Sequence, residues 1–475
     1  MAAFSFIMFL LMALNKQAQT SNQKIVVIGA GLAGLTAAYR LRQKDHDIEV
    51  YEARPRVGGR VHTVLVRNLD NGYSNAELGA QNLTDGGESK HILSLIKELE
   101  LELVDEHTPF QGMFYHQGIY YERTKIVEQI REKNPNFSTL LDNEINTPGS
   151  METVINKLNL DEAQKAFITF VMNAYEGLSV SLLSTNIHNL KTLRYVLSGG
   201  LSQAHANLTE KPLLHRMSIK AGNARLPEEL ARRLGNRLHL NKILKKVNYH
   251  NSKEIELTFS DSQTVKCNKL ILAIPCSVYN NIQFDKRLID TNILKQIRYL
   301  HYGAIGKILV PVKSHSEEKN QWLSSAQMGV FFNDDHQLFN VYCIHEKEPD
   351  LLNPDFYQNT LSILKNCFNH TQFLEDIPHH AEDLNFVKYD TPVAKSWRSD
   401  PYVQGAYSAF DITVQELIDK RECHHGVEVK ALFAPIHDKL FFAGEHATIL
   451  DEIGTMEAAV ESGERIATLV DAILN

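Results

Sequence analysis

Little in this chain offers itself to a metal or to a disulfide framework. Its five cysteines, Cys267, Cys276, Cys343, Cys367 and Cys423, are odd in number, widely spaced and never paired as C-x-x-C. Neither a metal site nor a set of staples is expected, and they read as buried thiols. Long runs of one charge sign are also missing. With a net charge of −8, the chain lacks the basic stripe that nucleic-acid binding requires. Long apolar runs are scarce as well. The N-terminal one, Ala2 to Leu14 within MAAFSFIMFLLMALNKQAQTSNQ, is too short to span a bilayer as a helix, and no other stretch qualifies as transmembrane. It has the length of a signal-peptide core, but no Lys or Arg precedes it and no clean small-x-small cleavage site follows. Two destinations stay open for residues 1–22: a signal peptide, which makes the protein periplasmic or secreted, or an uncleaved leader on a cytoplasmic protein. Sequons at Asn82, Asn136, Asn207 and Asn369 matter only in a eukaryotic secretory pathway. What the chain does have is length: 475 residues, 43% hydrophobic, enough for two or more domains with full cores.

The first organised stretch is KIVVIGAGLAGLTAAYRL. A β-branched run from Ile25 to Ile28 meets Gly29, Gly31 and Gly34 in G-x-G-x-x-G spacing, with Ala33 between the last two. The pattern predicts strand, tight turn and helix. Gly29 permits the turn, Gly31 lets the main chain approach a pyrophosphate, Gly34 lets the helix lie close to the strand, and the helix N-terminus faces negative charge. A second strand, IEVYEA, ends in Glu52 where a ribose-binding carboxylate is expected, followed by Ala53 and Arg54. The competing reading is a glycine-rich turn followed by a surface Glu. Strand, glycines and acid together favour a dinucleotide site.

Beyond Glu52 the chain reads ARPRVGGRVHT, with Gly58, Gly59 and Arg60. This run resembles the GG motif of the FAD-dependent amine oxidases. The resemblance implies FAD as cofactor, close passage of the glycine main chain along it, and help from Arg60 in neutralising the diphosphate. Near the C-terminus, FFAGEHATILDEIGTMEAAVESGERIA resembles the flavin end of the same family. By that match Gly444 and Glu445 lie at the ribityl chain, and the amides of Thr455 and Met456, after Gly454, point to the flavin pyrimidine edge. A helix N-terminus there offsets the negative charge of the reduced ring. Further matches occur in order: AELGAQNL, with Glu77, Gly79 and Ala80; AGNARLPEELARRL; and LILAIPCSVY. The alternating stretch between the last two predicts antiparallel strands and carries Val247 where family members contact the adenosine part. The similarity runs from Lys24 to Leu474.

Lys307 opens the apolar run in YLHYGAIGKILVPV, where a strand holds it inward and burial demands a partner. The resemblance gives the matching lysine a water that bridges to the flavin. KSWRSDPYVQGAYSAF resembles another family segment, which places Tyr407 before the flavin ring and Trp397 beneath the cofactor. Ala406 stands where monoamine oxidases use a cysteine to attach flavin, so the FAD is expected to be noncovalent. The second aromatic wall of monoamine oxidases falls at Thr455, a pattern more similar to polyamine oxidases and lysine-specific demethylases. L-amino acid oxidases use an arginine soon after the LG segment, and LGAQNLTDGGES has none. Glu77 and Glu176 are candidate acids near the substrate.

The expected architecture is α/β. A Rossmann-type FAD-binding domain is built from 23–90, 215–285 and 395–475, with a mixed α+β substrate domain from 91–214 and 286–394 inserted. The expected activity is oxidative deamination of a monoamine or polyamine, with hydride passing to flavin N5 and O2 reduced to H2O2. Lys307 and Tyr407 are the catalytic candidates. The alternatives are an L-amino acid oxidase, a flavin desaturase or protoporphyrinogen-oxidase-like enzyme, and a noncatalytic flavoprotein acting as a binding or redox-sensing module. The expected partners are a small amine, O2 and a second copy in a homodimer, with no nucleic acid.

Overall fold

The computed structural model describes residues 23–83, 89–106, 111–145, 147–198, 216–251, 253–315, 321–333, 335, 337–344, 350–384, 387–412, 420–451 and 453–475. The leader, 1–22, and the sequon at Asn207 lie outside them. Strand β1 (Ile25–Ile28) forms because four consecutive β-branched residues can all be buried on the two faces of a central strand. It stops at Gly29, whose φ of +104° suits glycine alone. Helix α1 (Leu32–Gln43) starts at once, rich in Ala and Leu, and carries Arg40 and Arg42 in its last turn. Strand β2 (Ile48–Tyr51) then lies parallel to β1, Ile25 opposite Ile48.

From there the chain departs and returns twice. On the first departure β3 (Gln111–His116) and β4 (Ile119–Glu122) form a hairpin, and α2 (Arg123–Lys133), α3 (Glu162–Glu176) and α4 (Ile187–Leu197) follow. It returns with β5 (Leu238–His239) and β6 (Lys269–Leu272). Between these two, strands 244–249, 255–259 and 264–267 pair antiparallel, as their alternation predicts. The second departure adds β7 (Ile305–Lys313), β8 (Gln321–Ser325), β9 (Met328–Phe332), β10 (Leu338–Ile344) and β11 (Val393–Ser396). The chain comes back with β12 (Leu440–Phe442) and ends in α5 (Met456–Leu474).

Two sheets result. The first, ordered β12-β6-β1-β2-β5, is parallel throughout. The second runs β11-β7-β10-β9-β8-β3-β4, with the short strand His379–His380 outside β11, and is antiparallel except between β8 and β3 and at that edge strand. One core lies between the parallel sheet and helices α1 and α5, which pack so closely that a Cβ at Gly463 would come within 2.5 Å of the Ala33 carbonyl oxygen. A second gathers α2, α3 and α4 against Phe114 of β3. Among the described residues no helix is long and apolar enough to cross a membrane.

Candidate active site

A cavity of about 920 Å³ opens at the carboxyl ends of β1, β2, β6 and β12 and continues across one face of the second sheet. Open parallel sheets bind ligands at this edge. Nearly every residue singled out in the sequence lines it; Gly34, Glu77 and Val247 do not. Gly34 sits where a Cβ would fall 2.1 Å from the Gly29 carbonyl oxygen, so it sets the approach of α1 to β1. Val247 is fully buried in the antiparallel meander, and its segment reaches the cavity through residues 242–245 instead. Glu77 accepts hydrogen bonds from Thr63 Oγ1 and the Asn223 amide at 2.7 Å, and braces the loop beside the site.

At the glycine end the wall is main chain. A Cβ at Gly31 would find no atom within 4 Å, so a ligand can come against the backbone there. Gly58 donates to the Ala30 carbonyl at 2.8 Å, laying the second glycine loop on the first turn. The buried Glu52 carboxylate accepts from the amides of Ala30, 2.7 Å, and Arg54, 2.9 Å. The Arg54 side chain turns away into a buried charge cluster with Asp383 and Asp400. The first-turn amides of α1 have no intrahelical acceptors and face this end.

Further along, Glu445 joins three segments. It takes Arg60 at 2.7 Å, the Ser408 amide and hydroxyl at 3.1 and 2.5 Å, and the Gly454 amide at 3.2 Å. Burial works to raise this carboxyl, but Arg60 and its other partners hold it below the usual range. Arg60 also donates to the Ala406 carbonyl, 2.8 Å. Thr455 caps α5 by accepting from the Ala458 amide, so the helix N-terminus opens on the cavity. Behind Glu445, burial drives the His446 imidazole down to about 4.

Beside that helix end, Lys307 on β7 is 4% exposed and donates to the carbonyls of Glu77, 2.9 Å, and Gly79, 2.8 Å, and to Gln81 Oε1, 3.1 Å. An ammonium carries three protons, so all three are matched. Gly79 allows this loop to lie against Arg60 and Trp397, whose indole donates to the Leu78 carbonyl at 3.0 Å. Tyr407 is wedged between Gly177 and Gly454 and donates to the Ala174 carbonyl at 2.6 Å.

Among the lining residues that the sequence motifs leave unmarked are Tyr342, Gln81 and His188. Tyr342, on β10 opposite Lys307, brings its hydroxyl to 3.0 Å from that of Tyr407, so a second tyrosine stands beside the one the motif marks. Its only local trace is a tyrosine in a strand that also holds Phe339 and Asn340. Gln81 was passed over inside a matched motif. His188, on α4, pairs with Glu176 at 2.9 Å. Burial would raise Glu176 and lower His188, but each partner prevails, with the acid below and the imidazole above its ordinary value.

Comparison with known proteins agrees with this geometry. The profile of the flavin containing amine oxidoreductase family matches residues 32–471. The chain is 25% identical over 474 residues to the lysine-specific histone demethylase 1 homolog 2 of Arabidopsis thaliana, spanning 95% of this chain but 59% of that relative. It is 23% identical over 516 residues to an L-amino-acid oxidase of Bothrops moojeni, spanning 98% and 92%. Among solved structures, wild-type putrescine oxidase bound to putrescine matches with a TM-score of 0.70 at 19% identity, over 95% of this chain and 99% of that one. At that identity the likeness is one of fold.

Proposed function

This chain belongs to the flavin-containing amine oxidoreductase family, and we propose that it oxidises an amine at its α-carbon with O2 as the final acceptor and H2O2 as product. Its cofactor is FAD, and the residues present suit that group. The open main chain at Gly31 and the α1 amides would hold the diphosphate, Glu52 the ribose, and the amides at Thr455 and Met456 the pyrimidine edge. When bound, FAD supplies the hydride acceptor and the site of O2 reduction. Ala406 offers no thiol, so the attachment is noncovalent. The reading is carried by one observation: a single cavity joins Gly31 and Glu52 to Lys307, Tyr342 and Tyr407.

Within it, the two tyrosine rings form the wall against which the amine lies, their hydroxyls held at Ala174. Lys307 fixes the loop 77–81 and exchanges its Gln81 contact for a water that serves the reacting centre. The substrate is an amine rather than a free α-amino acid. Lys307 has its protons committed to the protein and Arg60 is held by Glu445, so neither is left for an α-carboxylate.

The test is a peroxidase-coupled assay of purified holoprotein with a panel of amines and L-amino acids. Peroxide should form with at least one amine faster than with L-Leu or L-Phe, and acid precipitation should leave the yellow FAD in the supernatant. Failure of every amine to bleach the flavin anaerobically would overturn the reading. Bleaching without peroxide would remove O2 as acceptor.

A further inference from the structure

The far end of the cavity holds a charge that the proposed reaction does not use. Arg123, the first residue of α2, is 8% exposed and lines the cavity with Thr124 and Val127. Among the described residues its guanidinium has neither a hydrogen bond nor an ion pair. Its neighbours are rings, Trp322 at 4.7 Å and Phe167 at 5.7 Å from the guanidinium carbon. Burial drives its pKa down to about 10, with only Tyr175 opposing, so it remains a cation at neutral pH. The other buried charged side chains of this wall are all matched: Glu52 by amides, Glu176 by His188, Glu445 by Arg60, Arg54 by two aspartates and Lys307 by carbonyls. A largely buried cation without a partner is costly, and its N–H donors, open to the cavity, call for acceptors there.

The surroundings are shaped to keep it there. Gly112 of β3 leaves room for its stem, since a Cβ would come within 2.5 Å of Arg123 Cδ. Trp322 supplies a flat face for the guanidinium plane. α2 begins at the same end of the cavity, and its N-cap residue Glu122 makes no cap hydrogen bond but turns to Thr124 Oγ1 and Lys125, which leaves the first-turn amides without a side-chain acceptor. A planar guanidinium with a free edge matches a carboxylate in two parallel hydrogen bonds.

Strand register measures the distance to the reacting centre. Lys307 stands opposite Tyr342, Tyr342 opposite Gly329, and Gly329 opposite Ser324, with Trp322 two residues before Ser324 on the same face. Two strand steps from Tyr342 and three from Lys307 put Ser324 about 10 and 14 Å away at ~4.8 Å per step, and Trp322, ~7 Å further along β8, about 12 and 16 Å away. An α-carboxylate cannot reach that far. We propose that Arg123 and the N-terminus of α2 form an anion subsite, and that the substrate is an amine carrying a carboxylate about 10 Å from the oxidised carbon. A polyamine would bring a second cation to this arginine, and is disfavoured.

The inference rests on the amine-oxidase reading for its second half, so two measurements separate them. In the first, octanoate and octanol are titrated calorimetrically into the holoenzyme at low salt. Octanoate should bind at least 10-fold more tightly than octanol, weaken as salt rises, and lose that advantage in Arg123→Met and, in part, in Arg123→Lys. In the second, 8-aminooctanoate and octylamine are compared as substrates. The acid-ended amine should have the higher kcat/KM, chiefly through KM, and Arg123→Met should cut its kcat/KM at least 10-fold more than that of octylamine. Flavin content and circular dichroism report whether each variant folds, and Arg123→Lys is used if the Met variant does not. Equal binding of octanoate and octanol to the wild type, or equal losses for both amines, would overturn the subsite. Arginine-dependent octanoate binding without oxidation of either amine would keep the subsite and defeat the amine reading.

Discussion

The cavity has two ends built from different material. At the glycine end a ligand meets main chain: the open backbone at Gly31, the first turn of α1, and amides that also hold Glu52 in place. At the far end it meets side chains, the rings of Phe167, Phe170 and Trp322 and the guanidinium of Arg123. Main chain suits a group that never changes, because its donors are fixed by the fold and carry no side-chain entropy. Side chains suit a variable ligand, because one substitution resets shape and charge without moving a strand. The family relatives, named for different substrates, are consistent with that division.

The sharpest way to break the comparison is at Gly34. Ala there places a Cβ 2.1 Å from the Gly29 oxygen and 2.9 Å from the Ala273 side chain, contacts that no rotamer relieves. Gly34→Ala should yield protein with almost no flavin absorbance, whereas Arg123→Met should keep it. Retention of full FAD by Gly34→Ala would show that this turn tolerates movement.

Lys307→Met comes next. It removes the donor to two carbonyls and Gln81, and each acceptor left buried costs about 1–3 kcal/mol. The melting temperature should therefore fall while FAD remains bound. Removing one preorganised donor also slows turnover by about 10²-fold or more. Stopped-flow traces of flavin reduction and reoxidation locate the loss, and two half-reactions at wild-type rate would leave Lys307 a purely structural role.

Two histidines beside the cavity should respond to acid in opposite directions. His446 has a folded value of about 4, below its unfolded 6.5, so its contribution is complete above pH 6.5 and is lost as pH falls to about 4, at about 1.4 kcal/mol per pH unit. His188 is raised by Glu176, so its contribution is complete below pH 6.5 and is lost as pH rises through its folded value. Melting curves across pH 4–8 should show His446→Gln flattening the acid limb and His188→Gln flattening the neutral one. Identical profiles would mean that neither histidine governs the dependence.

The smallest effect is expected at the tyrosine pair. Tyr342→Phe and Tyr407→Phe each delete one hydroxyl of a 3.0 Å contact, worth about 1 kcal/mol. KM for the best amine should rise a few-fold with kcat nearly unchanged. A large fall in kcat for Tyr342→Phe would make that hydroxyl part of the chemistry rather than of the wall.

The sequence by itself determined the α/β class and a dinucleotide site, and its resemblance to the amine oxidases implied the flavin. Four β-branched residues, glycines at fixed offsets and an acid one strand later are local features, and local steric rules act on them wherever the chain goes. The tertiary structure alone decided what stands at the reacting and far ends. Tyr342 became the neighbour of Tyr407 because β10 pairs with β7, and Gln81 met Lys307 across 226 residues of chain. Arg123, at the head of an ordinary amphipathic helix, carries no sequence signal. Its isolation follows from Gly112 and Trp322 on paired strands and from the turning of the neighbouring Glu122 carboxylate to Thr124 and Lys125. Periodicity tells which face of an element is buried, but strand register and helix packing choose the residues that face each other, and those are non-local choices.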